Sequence, residues 1–206
     1  MMRRILLVCS LLWSFNVLSS VIQDKLFVGL GAGYGSSDWS YLCSAVPEVQ
    51  LASPSKAVDQ GVSANLFAQY IFSPYSSLRV NYESLPDAKI TFEAHNIYPQ
   101  FHFKKTTITS STQVLGVAYE FMLPVYRQRY YAFSDLGIAA THRQDVLATQ
   151  WHWGPLFGGG LGWHQRNFLA ELGFQYSAGS AKATMQPADD YIPFTYDVFV
   201  QMGVKV

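Results

Sequence analysis

Apolar residues recur at every second position in eight separate segments of this chain, and that spacing restricts its possible folds more than any other feature. Period-two alternation marks a strand with two unlike faces. In the first segment, Asp24 to Gly35, Leu26, Val28, Leu30, Ala32 and Tyr34 share one face. Phe27, Gly29, Gly31, Gly33 and Gly35 share the other. The second, Gly61 to Phe72, sets Val62, Ala64, Leu66, Ala68 and Tyr70 against Ser63, Asn65, Phe67 and Gln69. The third, Ser76 to Leu85, alternates Leu78, Val80 and Tyr82 with Arg79, Asn81 and Glu83. The others run from about Thr109 to Phe121, Arg129 to Thr141, Trp153 to His164, Phe168 to Tyr176, and Tyr196 to Val206.

The face opposite the aliphatics is made of Gly, Ser, Asn, Gln and a few charges, too small and too poor in Lys for the wetted side of a soluble sheet. The strands of a membrane barrel need an apolar face toward lipid and a small or polar one toward the lumen. Composition agrees: 50% of residues are apolar and 16% aromatic, while only 14% are charged, against about a quarter in soluble domains. The expected fold is an all-β, eight-stranded, antiparallel up-and-down transmembrane barrel.

The connections alternate in length. Short turns are expected around Ser73-Pro74, Leu123 to Gln128, and Gln165 to Asn167. Long loops are expected at Ser36 to Gln60, Pro86 to Ile108, His142 to His152, and Ser177 to Pro193. Short periplasmic turns and long outer loops, with an even strand number, imply a bacterial outer-membrane location with both mature termini in the periplasm. Aromatics gather at strand ends, with Tyr34, Tyr70, Tyr82, Tyr119, Trp153, Trp163, Tyr176 and Tyr196 as candidates for the interface girdles.

Before the first strand, Met-Met-Arg-Arg is followed by ILLVCSLLWSFNVLSS, two positive charges and an apolar run ending in small residues. This reads as a secretory signal peptide over 1–20, leaving 21–206 as the barrel domain. Loss of Arg3 and Arg4 with the leader leaves 12 basic against 14 acidic residues, about −2. No basic field remains to attract nucleic acid. Cys9 falls in the leader without the small preceding residue of a lipoprotein signal, and Cys43 is then the one mature thiol.

The segments FVGLGAGYG, LGVAYEF, GGGLGWHQRNFLAELGFQY and FVQMGVKV resemble the small outer-membrane β-barrel superfamily that includes the membrane domain of OmpA. The resemblance runs from Asp24 to Val206 and rests on alternation and Gly-aromatic rhythm. It implies a last strand read by the outer-membrane assembly machinery, although the chain ends in Val206 where such strands usually end in Phe.

The charged residues expected on the lumen side are Arg79, Glu83, Glu120, Asp135 and Glu171, with Asn65, Gln69 and Gln175 nearby. In so narrow a barrel side chains from opposite walls meet, so Arg79 is expected to pair with Glu120 or Glu171. Such a cluster acts as a plug, or as a gate in a narrow path for ions or small solutes. A lipid deacylase would need a His-x-Ser pair, which neither His142-Arg143-Gln144 nor His152-Trp153-Gly154 supplies. His95 and His102 match no metal-ligand spacing, so no catalytic residue, metal or other cofactor is expected.

The loop segment KITFEAHNIYPQFHFKK alternates like a strand and carries aromatics with Lys104 and Lys105, so its sides are expected to extend a hairpin above the membrane. The expected role is structural or surface-interactive, for a monomer among outer-membrane lipids and lipopolysaccharide, with a host or envelope partner at the loops.

Overall fold

The computed structural model describes residues 25–39, 54–92, 106–126, 129–146, 149–179 and 191–206. The expected signal peptide, Cys43, His95, His102, Lys104 and Lys105 lie outside the described residues.

Among the described residues ten strands follow one another: β1 (Leu26–Asp38), β2 (Pro54–Val58), β3 (Gln60–Ser73), β4 (Ser76–Ser84), β5 (Ala88–Phe92), β6 (Thr106–Tyr126), β7 (Tyr130–Gln144), β8 (Thr149–Gln165), β9 (Phe168–Ser177) and β10 (Phe194–Lys205). Eight of them form a ring in the order β1-β3-β4-β6-β7-β8-β9-β10, closed by the pairing of β10 with β1, and every pair is antiparallel. Closure leaves no unpaired edge in the ring. The remaining two, β2 and β5, pair with each other, and β5 continues onto the upper part of β6.

One end of the barrel carries the short turns and both described chain ends; the other carries the long connections. At the turn end Ser73 and Ser76 join side chains at 2.8 Å, and Ser73 Oγ accepts the Tyr75 amide at 3.1 Å. That serine turn with Pro74 between reverses the chain at once.

The wall is apolar on its outside. Leu30 is 67% exposed, Leu123 67%, Leu161 62% and Met202 65%, all at outward positions of different strands. Exposed apolar residues on every side of a closed ring are costly in water and suited to a lipid contact. On β6 the outward residues change character along the strand. Thr107, Thr109, Ser111 and Gln113 are polar, whereas Leu115, Val117, Tyr119, Phe121, Leu123 and Val125 are not. The apolar run of 115–125 fits the roughly 9–11 residues of a membrane strand. At about 3.3 Å per residue and roughly 45° of tilt, the 21 residues of β6 rise about 50 Å, twice the roughly 25 Å apolar band. The upper part of β6, which carries β5 and β2, therefore stands clear of the lipid.

Three expectations change. The long loop expected from His142 to His152 is cut short, because β7 continues to Gln144 and β8 begins at Thr149. His142 and His152 therefore sit in strands, and His142 stacks on Trp151 with ring centroids 4.4 Å apart. The turn expected over Leu123 to Gln128 is shorter, since β6 pairs with β7 down to Tyr126. The first long loop is also not wholly irregular. It contributes β2, which pairs with β5.

Candidate functional site

The lumen is filled in layers. Nearest the turn end, Phe27, Phe67 and Leu169 pack together, with Met122, Tyr131, Phe133 and Phe199 beside them and Ile71 touching both groups. The glycines opposite make room for these rings: a Cβ on Gly173 would lie 2.8 Å from Phe133 and 3.0 Å from Phe199. A cavity of about 290 Å³ opens at this end, with Phe27, Ile71, Met122, Tyr131, His164 and Arg166 among its lining.

Above the rings lies the Arg79 cluster. Arg79 Nη2 donates to Glu120 and to Asp135 Oδ2 at 2.8 Å, and Nη1 donates to Glu171 Oε2 at 3.0 Å. The guanidinium also sits 4.9 Å from the Phe133 ring centroid. Neutral donors complete the carboxylates. Gln69 and Ser77 donate to Glu120, while Tyr131 and Gln201 donate to Glu171 at 2.7 and 2.5 Å. β3, β4, β6, β7, β9 and β10 all contribute, so the network ties opposite walls across the bore. All these side chains are buried, where a charge is tolerated only when paired and hydrogen-bonded.

Of the five charged lumen residues named from sequence, the structure brings together Arg79, Glu120, Asp135 and Glu171. Glu83 stands apart. Its carboxylate accepts from Gln175 at 3.1 Å and faces Asp197, which is held in turn by Ser63 at 2.7 Å. Asp197 was legible only as one inward residue of the last strand. An apolar group of Leu85, Val114, Ala118, Ala139 and Leu156 packs on the adjoining wall, where Val114 is paired with Glu83.

A cap closes the loop end, and its components went unremarked in the sequence. Trp39, Tyr191, Ala88, Ile90 and Ile108 form a buried cluster with Ala57 against it. Arg143, fully buried, lies 4.7 Å over the Trp39 ring, donates to the Tyr191 carbonyl at 2.7 Å, and forms a two-pronged pair with Asp145. Tyr191 donates its hydroxyl to the Asp38 carbonyl at 2.5 Å, and the Trp39 amide donates to Asp59 at 2.9 Å. One signal could have found Arg143: continuing the β7 alternation past Thr141 by two residues puts it on the lumen side.

The aromatic residues named for the girdles divide between the ends. Tyr34, Tyr82, Trp153, Tyr176 and Tyr196 point outward toward the loop end; Tyr70, Tyr119 and Trp163 lie toward the turn end. Trp153 is 65% exposed, whereas Tyr70 and Trp163 are half-buried against neighbours. Among the described residues no group of three or more His, Cys, Asp or Glu is arranged to hold a metal ion.

No protein-family model and no curated protein sequence matches the chain. Solved structures do. Neisserial surface protein A aligns over 88% of this chain and 97% of its own, at 12% identity and a TM-score of 0.55. The outer membrane protein OprG from Pseudomonas aeruginosa aligns over 88% and 93%, at 11% identity and a TM-score of 0.50. Identity this low speaks for the fold alone. The chain has the closed eight-stranded fold of the small outer-membrane β-barrels.

Proposed function

We propose that the protein is a bacterial outer-membrane barrel with a closed lumen, which acts structurally or as a surface-interaction protein through its loop end. The observation that carries this reading is the Arg79 network, which joins side chains from six strands across the bore. The ring cluster below it and the Trp39–Tyr191 cap above it obstruct the same axis. A lumen filled in this way supports a role at the surface rather than along the axis.

In this reading the turn end and both mature termini face the periplasm. The head, built of β2, β5 and the upper part of β6, stands outside among lipopolysaccharide. It is stiffened by strand pairing and its own apolar core, so it offers a preorganised surface to a host or envelope partner. The closed ring offers no strand edge in the wall to a second copy, which supports a monomer, and the protein reaches its membrane through the outer-membrane assembly machinery.

The test is conductance of the purified protein in planar lipid bilayers. Silence is expected from the wild type. A steady conductance that changes in Arg79→Ala would establish a narrow channel instead, with the Arg79 cluster as its gate.

A further inference from the structure

The mouth at the turn end combines apolar surface and basic side chains around one cavity. Phe27, Ile71 and Met122 give it an apolar floor, while Lys25, His164 and Arg166 line the same space with nitrogen atoms. The floor belongs to the ring clusters that fill the bore, and Phe27 and Met122 are buried within them. The cavity therefore ends against the plug.

Alternation explains how the two kinds of surface meet. On β1, Lys25 precedes Phe27 by two residues; on β8, His164 and then Arg166 continue the inward row of Gly160 and Gly162. Each inward face runs from the apolar layer out to the mouth, and there its side chains become basic. His164 meets the Phe27 ring edge-on, with centroids 6.1 Å apart. Lys25 Nζ donates to the Phe72 carbonyl over a long 3.3 Å.

Two more basic residues stand at this end. Lys205 lies opposite Phe27 in the β10–β1 register, and the Arg129 carbonyl accepts from the His164 amide at 2.9 Å. Among the described residues, the acidic side chains of this half of the barrel are Glu120, Asp135 and Glu171, all engaged by Arg79 behind the ring layer. A cleft with low-dielectric walls and one sign of charge concentrates ions of the opposite sign.

We propose that this cavity binds a small amphipathic carboxylate, its tail on Phe27, Ile71 and Met122 and its head among Lys25, His164 and Arg166. The apolar floor disfavours a bare inorganic anion, which would give up water for carbon surface. The basic rim disfavours an organic cation. A carboxylate suits Arg166, whose guanidinium presents paired donors that match two oxygens. The cavity of about 290 Å³ sets the size. At roughly 30 Å³ for each water-sized unit it admits about ten non-hydrogen atoms, as in octanoate. Because the ring layer closes the inner side, the ligand enters and leaves by one mouth and is held rather than passed through.

The test uses the full-length mature protein folded in nanodiscs of zwitterionic lipid, with empty discs as the blank. Octanoate is titrated by calorimetry, beside octylammonium, which reverses the charge, and acetate, which lacks the tail. One saturable site per barrel is expected for octanoate and none for either control. Arg166→Gly removes a rim cation where a φ of 46° suits glycine, so the barrel keeps its fold. It is expected to weaken octanoate binding about tenfold, through loss of one charged hydrogen-bonding partner. Ile71→Trp fills the floor and is expected to abolish binding. Uptake of octanoate no greater than that of empty discs would overturn the proposal. So would octylammonium or acetate binding as strongly as octanoate, or an affinity unchanged in Arg166→Gly.

Discussion

Arg79 is the residue on which the buried charge of the lower lumen depends. It faces three carboxylates, and each of those also draws on Gln69, Ser77, Tyr131 or Gln201 or on the guanidinium itself. Removing the cation while leaving the carboxylates is expected to destabilise the barrel by about 3–5 kcal/mol. Arg79→Met, followed by urea unfolding in lipid vesicles, measures this. Adding Glu120→Gln, Asp135→Asn and Glu171→Gln to the same variant is expected to recover most of the loss, because the uncompensated charge is then gone. A second residue is informative for its backbone. Arg166, in the tight turn between β8 and β9, has φ of 46°, a left-handed conformation in which a side chain crowds the backbone. Arg166→Gly is expected to stabilise the hairpin by about 1 kcal/mol, read in the same unfolding assay.

Among the elements, β6 makes the clearest prediction, because a single strand crosses from lipid to solvent. Val117→Arg places a charge on the lipid face within the apolar run and is expected to cost about 2–4 kcal/mol. Thr109→Arg lies on the same face eight residues higher and is expected to change stability by less than about 0.5 kcal/mol, as for an ordinary surface site. Equal costs at the two positions would show that the apolar boundary between Gln113 and Leu115 is not the membrane boundary. β8 shows why a proline is tolerated in the wall. The Pro155 carbonyl accepts from Ala178 on the β9 side, just beyond the last paired residue, Ser177. The missing N–H of Pro155 faces that same side at the very end of the β8–β9 ladder, so at most one terminal bond is forgone.

On the scale of the whole molecule there are two cores, one inside the barrel and one in the cap and head. Besides the β5–β6 pairing, the cap is joined to the wall through Arg143, which binds Trp39, Tyr191 and Asp145 together. Arg143→Ala is expected to loosen the head without opening the ring. The variant should show faster protease cleavage in the loops, while the heat-dependent shift of the folded barrel on gels stays unchanged. Collapse of both together would mean that the cap and the barrel form a single cooperative unit.

The eight wall strands were legible because a lipid-facing residue must be apolar wherever the strand leads, and period two writes that demand locally into the chain. The lumen was legible in part for the same reason: alternation places Arg79, Glu120, Asp135 and Glu171 inside without any knowledge of their partners. Which of them meet was not, since that depends on register around a closed ring, and register brings Arg79 to Glu120, Asp135 and Glu171 but sets Glu83, four residues along the same strand, beside Asp197. The cap was harder still. Trp39, Arg143 and Tyr191 come from three distant parts of the chain, and each alone resembles any loop or strand-end residue. Local sequence determined the strands, their two faces and the closed wall; only the tertiary structure, by fixing register and folding the connections back over the mouth, decided which polar groups meet and how the bore is filled.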